Sequence, residues 1–360
     1  MSLEFTRRAL SIPVYPAAET YGYGGQLVKL ASNETPWPPH PAVMEVVEST
    51  LRDLNRYPDP TAARLRRRIA ERHELAVSGV AVGNGSCDIL LAAAEAMLEP
   101  GAEVVYAWPS FSMYPHLAAM TGARAVTVPL DGEGRHDLEA MAREVTAATR
   151  IVIVCNPNNP TATALPVADI DAFVGSLPRH VAVIVDEAYV EFSLMQDPDE
   201  SLPLLRRHPN LVLLRTFSKV YGLCGLRVGY ALCSQDFRVG VDRVRQPFGV
   251  NMVAQAAAAE ALRHQDEVAR RVERIAIERM FVQDELAERG LECTESHANF
   301  SWLSLGERDE GAVMSGLSRR GVVVRAGTAL GEEGRLRVTY GTRPENERFL
   351  AALDETLAEL

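Results

Sequence analysis

Residues 181–189 read VAVIVDEAY, an unbroken aliphatic run that ends on two carboxylates. A near-continuous Val/Ile run marks a strand buried on both faces, the kind a parallel sheet carries between two layers of helices. The same signature recurs as VAVGNGS (80–86), EVVYAWPS (103–110), RAVTVPL (124–130), RIVIVCNP (150–157), LVLLRTFSK (211–219) and LRVGYALC (226–233), with helical patterns between the runs. This alternation predicts a mostly parallel α/β sheet built from those seven runs. Ligands of such sheets bind beyond the carboxyl ends of the strands. Several runs end there in chemically capable residues: Gly85-Ser86, Ser110-Phe111, Asn156 to Asn159, Asp186 to Tyr189 and Ser218-Lys219.

The chain has 360 residues, too many for one typical core, and suggests about two domains. Its character changes near Asn251, where NMVAQAAAAEALRHQDEVARRVERIAIERMFVQDELAERG reads as almost continuous helix. Strand-like ANFSWLSL (298–305), GVVVRA (321–326) and LRVTYG (336–341) follow. The predicted division is an N-terminal arm over 1–35, a large domain over 36–250 and a smaller α+β domain over 251–360. The proline-rich SNETPWPPHP (32–41) is expected to be a loop, since proline suits neither a helix interior nor a central strand.

A net charge of −11 argues against a broad nucleic-acid-binding face. Five scattered cysteines without a CxxC pair fit a reducing compartment and no metal site. No segment approaches a membrane span or signal peptide, so a cytoplasmic protein without membrane partners is expected.

One residue type is almost missing. Of 37 basic residues only Lys29 and Lys219 are lysine. A guanidinium stays protonated, whereas an amine can lose its proton and attack a carbonyl, so Lys219 is a candidate nucleophile. GNGSCDIL (83–90) is a glycine turn opening an apolar helix, suited to a phosphate at the helix N-terminus. It matches neither a dinucleotide fingerprint nor a Walker loop. CNPNNPT (155–161) places asparagine amides where they could donate to a phenolate or carbonyl oxygen. Asp186 sits at a buried strand end and wants a cationic partner. Arg227, eight residues after Lys219, can return to the same crevice. An amine, a phosphate cradle, a carboxylate for a ring nitrogen and donors for a ring oxygen together describe pyridoxal 5'-phosphate.

Nine motifs in order, SNETP, RYPDP, GNGSCD, WPSFSMY, CNPNNPT, DEAYVEF, TFSKVYGLCGLRVGY, ANF and LRVTYGTRPEN, resemble those of class I/II, fold-type I aminotransferases. The resemblance is strongest to the histidinol-phosphate aminotransferase group and its aromatic-amino-acid relatives. It implies a fold with a large domain around a mostly parallel seven-stranded sheet and a smaller α+β C-terminal domain. It further implies that Lys219 holds the cofactor as a Schiff base and moves the proton, and that Asp186 pairs with the pyridinium nitrogen. Tyr189 and Asn159 would bond the phenolic oxygen, and Phe111 would stack on the ring. Gly85, Ser86 and Cys87 would offer amides to the phosphate, with Ser218 and Arg227 adding side-chain contacts. Tyr57 of RYPDP would reach the phosphate of a neighbouring subunit in a shared-site homodimer. Arg337 would grip the substrate carboxylate, Arg325 the phosphate of histidinol phosphate, and Asn33 would lie on the substrate side.

The implied reaction converts histidinol phosphate and 2-oxoglutarate to imidazole-acetol phosphate and glutamate, a step of histidine biosynthesis. The alternative is an aromatic aminotransferase for phenylalanine or tyrosine. A decarboxylase of an amino-acid phosphate and a non-enzymatic effector-sensing module are the readings from other classes. The chain departs from the family pattern at three places. Ala162 stands where glycine is usual, Cys87-Asp88 replaces a common acidic pair, and residues 34–38 read ETPWP. A positive φ at Ala162 would strain the loop.

Overall fold

Strands form at all seven apolar runs. In chain order the strands of the computed structural model are β1 (Val28–Lys29), β2 (Val80–Gly83), β3 (Glu103–Trp108), β4 (Arg124–Pro129), β5 (Thr149–Cys155), β6 (Ala182–Asp186), β7 (Leu211–Thr216), β8 (Gly229–Leu232), β9 (Phe300–Ser304), β10 (Val322–Val323), β11 (Arg325–Ala326) and β12 (Arg335–Thr339). The structure describes residues 3–6, 9–10, 12 and 25–360, so most of the predicted N-terminal arm lies outside the described residues.

Seven strands make the main sheet in the order β2-β8-β7-β6-β5-β3-β4. The pairs from β7 to β4 are parallel, whereas β8 runs antiparallel to both β7 and β2. Side chains alternate faces along a strand. Val152, Val154, Val183, Val185 and Leu213 accordingly enter one core, and Ile151, Ile153, Ile184, Val212 and Leu214 the other. That double burial is why the runs are aliphatic without alternation. The parallel register sets Cys155, Asp186 and Leu214 abreast, so β5, β6 and β7 end together.

The remaining strands are few and short. β11, β12 and β9 form an antiparallel sheet, and β1 pairs in parallel with β10. GVVVRA, expected as one strand, is therefore two: Val322–Val323 pairs with the incoming chain, and Arg325–Ala326 with β12. The near-continuous helix expected from Asn251 is also divided, into Met252–Ala261 and Gln265–Glu288. His264 leaves helical geometry at φ −109, ψ 55, with its ring stacked on His40 at 4.0 Å. The Gln265 side chain bonds the Leu262 carbonyl at 3.0 Å, which satisfies an end the break leaves open. SNETPWPPHP is a loop until the helix Pro41–Thr50 begins, as expected. Among the described residues no helix is long and apolar enough to cross a membrane, and no His/Cys/Asp/Glu group could hold a metal ion.

Candidate active site

A cavity of about 230 Å³ opens beyond the carboxyl ends of β5, β6 and β7. Lys219, Asp186, Tyr189, Asn159 and Phe111 line it, together with Ser86, Cys87, Ser218 and Arg227. Nine of the residues singled out in the sequence thus meet in one crevice.

Lys219 follows β7 through Phe217 and Ser218, and its Nζ donates to the Ser32 carbonyl at 3.1 Å. The amine lies 5.5 Å from the centre of the Tyr189 ring. Burial, and then the charge of Arg337, pull its pKa down to about 8. About a tenth of such an amine is unprotonated at pH 7, a population that arginine could not supply.

Asp186 ends β6 and is buried. Its Oδ2 accepts from the Tyr114 hydroxyl at 2.9 Å and its Oδ1 from the Ala188 amide at 3.2 Å. Burial pushes the carboxyl up to about 6 in spite of these bonds, so a cation beside it would restore the charge.

The helix Ser86–Met97 starts directly after Gly85, whose φ is +81. A Cβ there would stand 2.5 Å from Arg227 Nη2, so the guanidinium is pressed close against the turn. Arg227 Nη1 is 3.4 Å from Ser218 Oγ and donates to the Cys224 carbonyl at 2.9 Å. A helix N-terminus, a fixed guanidinium and a hydroxyl make a cradle matched to a phosphate. Burial raises the Cys87 thiol to about 11, so it stays neutral in this cradle.

On the opposite wall, Tyr189 Oη accepts from Asn33 Nδ2 at 2.9 Å, and burial holds its hydroxyl protonated. Asn159 Oδ1 accepts from Arg337 Nη1 at 2.6 Å, while Arg337 Nη2 donates to the Ala31 carbonyl at 2.6 Å. With its oxygen committed, Asn159 keeps its amide hydrogens for another acceptor. Asn33, expected on the substrate side, bonds Tyr189 and, through its backbone, Thr339 at 2.9 Å. Only one asparagine of CNPNNPT lines the cavity. Asn156 instead holds Leu165, and Asn158 holds Pro109 and Thr161.

Two candidates stand apart. Tyr57 is 82% exposed and packs on Phe248, ring centres 4.8 Å apart, away from this cavity. Arg325 is buried opposite Arg337 in the β11–β12 pair; neither arginine lines the cavity, and Arg337 is tied to it through Asn159. Three non-glycine residues near the site have left-handed backbones: Asn33 (φ 54), Ala162 (φ 62) and Arg227 (φ 59). Ala162 thus bears the strain that its departure from glycine raised, on the order of 1 kcal/mol. Its loop is fixed by bonds from Ala162 to Asn158 and from His297 to Ala162, both 2.8 Å.

Sequence reasoning missed Tyr114 and the Ser32 carbonyl. Tyr114 sits in the quoted WPSFSMY, yet its partner Asp186 is 72 residues on, and nothing local marks its hydroxyl. A backbone carbonyl leaves no sequence signal at all.

A lysine nucleophile, a phosphate cradle and a buried carboxylate at the ends of a mostly parallel sheet define a fold-type I, pyridoxal-phosphate-dependent enzyme. The chain belongs to the aminotransferase class I and II family, whose sequence model matches residues 25–353. An aromatic amino acid aminotransferase of Thermobifida fusca is 43% identical over 350 residues, 96% of this chain and 95% of that protein. One of Streptomyces coelicolor is 41% identical, covering 97% and 96%. A histidinol-phosphate aminotransferase of Geobacillus thermodenitrificans is 40% identical, covering 95% and 93%. The crystal structure of histidinol-phosphate aminotransferase from Sinorhizobium meliloti in complex with pyridoxal-5'-phosphate is similar at TM-score 0.88 and 27% identity, covering 100% and 99%.

Proposed function

We propose that this transaminase exchanges the amino group of glutamate with imidazole-acetol phosphate, acting as a histidinol-phosphate aminotransferase by a ping-pong route. The reading is carried by the register of β11 and β12, which sets buried Arg325 directly opposite buried Arg337. Residues paired across an antiparallel ladder project to one side. Two guanidinium groups on one side suit glutamate, which carries two carboxylates, and a substrate that offers a phosphate to Arg325.

The geometry and the family resemblance together support these roles. Bound pyridoxal phosphate supplies an electron sink for the bond broken at the substrate Cα. Lys219 supplies the unprotonated amine and moves the proton, while Asp186 presents its charge to the ring nitrogen. Tyr189 and Asn159 would donate to the ring oxygen and Phe111 would lie against the ring, while Asn33 orients Tyr189. Gly85, Ser86, Cys87, Ser218 and Arg227 hold the phosphate, and Arg337 holds the substrate carboxylate while fixing Asn159. Residues 36–250 carry the cofactor elements and 251–360 the arginine pair, with Tyr57 reaching a partner's site.

A second reading, an aromatic amino acid aminotransferase, is favoured by the names of the relatives at 41% and 43% identity. Steady-state turnover decides between them. Histidinol phosphate is expected to give the higher kcat/KM, and Arg325→Gln to raise its KM at least about tenfold by removing a charged hydrogen bond. Phenylpyruvate turning over far faster than imidazole-acetol phosphate sinks the first reading. Lys219→Arg keeps the charge and should abolish either reaction.

A further inference from the structure

Arg215 and Glu187 form a buried ion pair for which the site just described has no use. Glu187 follows Asp186 at the end of β6, and Arg215 lies in β7 four residues before Lys219. Ile184 and Val185 enter opposite cores, so by alternation Glu187 leaves the sheet on the side away from Asp186. There Arg215 Nε donates to Glu187 Oε2 at 2.7 Å, Nη1 to Asp199 Oδ1 at 2.9 Å, and Nη2 to the Pro198 carbonyl. The two partners are 2% and 3% exposed. The Glu187 amide donates to the Leu214 carbonyl at 2.8 Å, so backbone and side chain both tie β6 to β7 beside Asp186.

An apolar pair could join two strands equally well, and a buried ion pair is weak support for stability alone. Only the ion pair fixes charge. Two neighbouring carboxylates in a low-dielectric setting resist ionising together, and Glu187 does press on Asp186 in this way. Arg215 supplies the compensating charge: its Nε holds the Glu187 carboxylate, while Nη1 and Nη2 anchor the guanidinium on Asp199 and the Pro198 carbonyl.

We propose that Arg215 is a positioning residue for transamination: by binding Glu187 behind the sheet it fixes the end of β6 and neutralises the carboxylate next to Asp186, leaving Asp186 to serve the ring nitrogen. The inference rests on Asp186 being that partner. Asp186 is faced by the Tyr114 hydroxyl, the Cys155 thiol and the Ala188 amide, and across the cavity by Lys219 and Cys87. Behind the sheet, Arg215 and Glu187 face Asp199, Glu191 and Tyr230, and Asp199 also binds Arg72 at 2.8 Å and faces His73 at 3.4 Å.

The test is a pH titration of the visible absorbance of the pyridoxal-phosphate-loaded protein, with Tm measured alongside. An uncompensated Glu187 favours the protonated chromophore, so Arg215→Met should move the midpoint up by about one pH unit. Adding Glu187→Gln to that variant should return it. Should Arg215→Met not fold, Glu187→Gln alone removes the negative charge next to Asp186 while Arg215 stays held by Asp199, and should lower the midpoint. A midpoint unmoved in the folded variants, or a double variant that stays with Arg215→Met, overturns the proposal even if Tm falls, because a purely structural pair changes Tm only. Asp186→Asn separates the two claims. If it retains cofactor and midpoint like the wild type, the Asp186 assignment fails; if it loses them while Arg215→Met shifts nothing, only the positioning role fails.

Discussion

Asp186 shows how a single residue can cost stability in one state and repay it in another. Its folded pKa is about 6 against an ordinary 3.8, chiefly through burial. Between about pH 4 and 6 the folded, cofactor-free chain therefore binds more protons than the unfolded chain, and stability falls as pH rises through that window. The penalty reaches roughly 3 kcal/mol at neutral pH, and a cationic ring nitrogen would relieve it. Glu191, which burial raises to about 7, adds a fall of its own, so the Asp186 part is read as a difference. In urea unfolding of the cofactor-stripped proteins, stability should fall less steeply between about pH 4 and 6 for Asp186→Asn than for wild type. Parallel pH profiles for the two proteins would contradict the assignment. At this scale the sequence was informative where chemistry demanded a residue type. Lysine at 219 in an arginine-rich chain was legible, as was a carboxylate closing a buried strand. Tyr114 was not, because its hydroxyl acquires a purpose only when helix Met113–Thr121, packed on β3 and β4, brings it to Asp186 at the end of β6.

At the level of elements, periodicity sufficed wherever both faces of a strand are buried, and all seven runs of the main sheet were legible for that reason. It failed where tertiary pairing divides a run. Nothing within GVVVRA says that Val322–Val323 will pair with Val28–Lys29 while Arg325–Ala326 pairs with β12. Nor does the alanine-rich stretch after Asn251 announce a break at a histidine stacked on His40. Element packing also explains a glycine that no turn requires. Gly229 begins β8, and a Cβ there would stand 2.4 Å from the Ser86 nitrogen and 2.9 Å from the Gly85 carbonyl carbon. Backbone atoms have no rotamer to retreat into, so Gly229→Ala must push β8 from the start of helix Ser86–Met97. The expected loss is about 1–3 kcal/mol, with weaker cofactor retention because the phosphate cradle moves too. Gly225→Ala is the control, since nothing lies within 4 Å of a Cβ there. Equal Tm changes in the two variants would show that the close approach does not matter.

For the whole molecule, the question is whether one chain completes a site. Tyr57 is 82% exposed and packs on Phe248, itself 42% exposed, so the pair presents an aromatic surface to solvent. Tyr57 has no task in its own cavity, and only the family resemblance, not its local sequence, gave it one. If it reaches the phosphate bound by a partner, each site of a two-fold dimer draws Lys219 from one subunit and Tyr57 from the other. Two crippled proteins, Lys219→Ala and Tyr57→Ala, then become complementary. In a mixed dimer one site inherits both defects and the other inherits neither. After unfolding, mixing in equal amounts and refolding, half of the dimers are mixed and each has one intact site, so activity should recover to roughly a quarter of wild type. Sites built within single chains cannot recover in this way, because every mixed dimer then contains one site of each defective kind. Activity that stays at the average of the two parents would therefore place Tyr57 outside the partner's site.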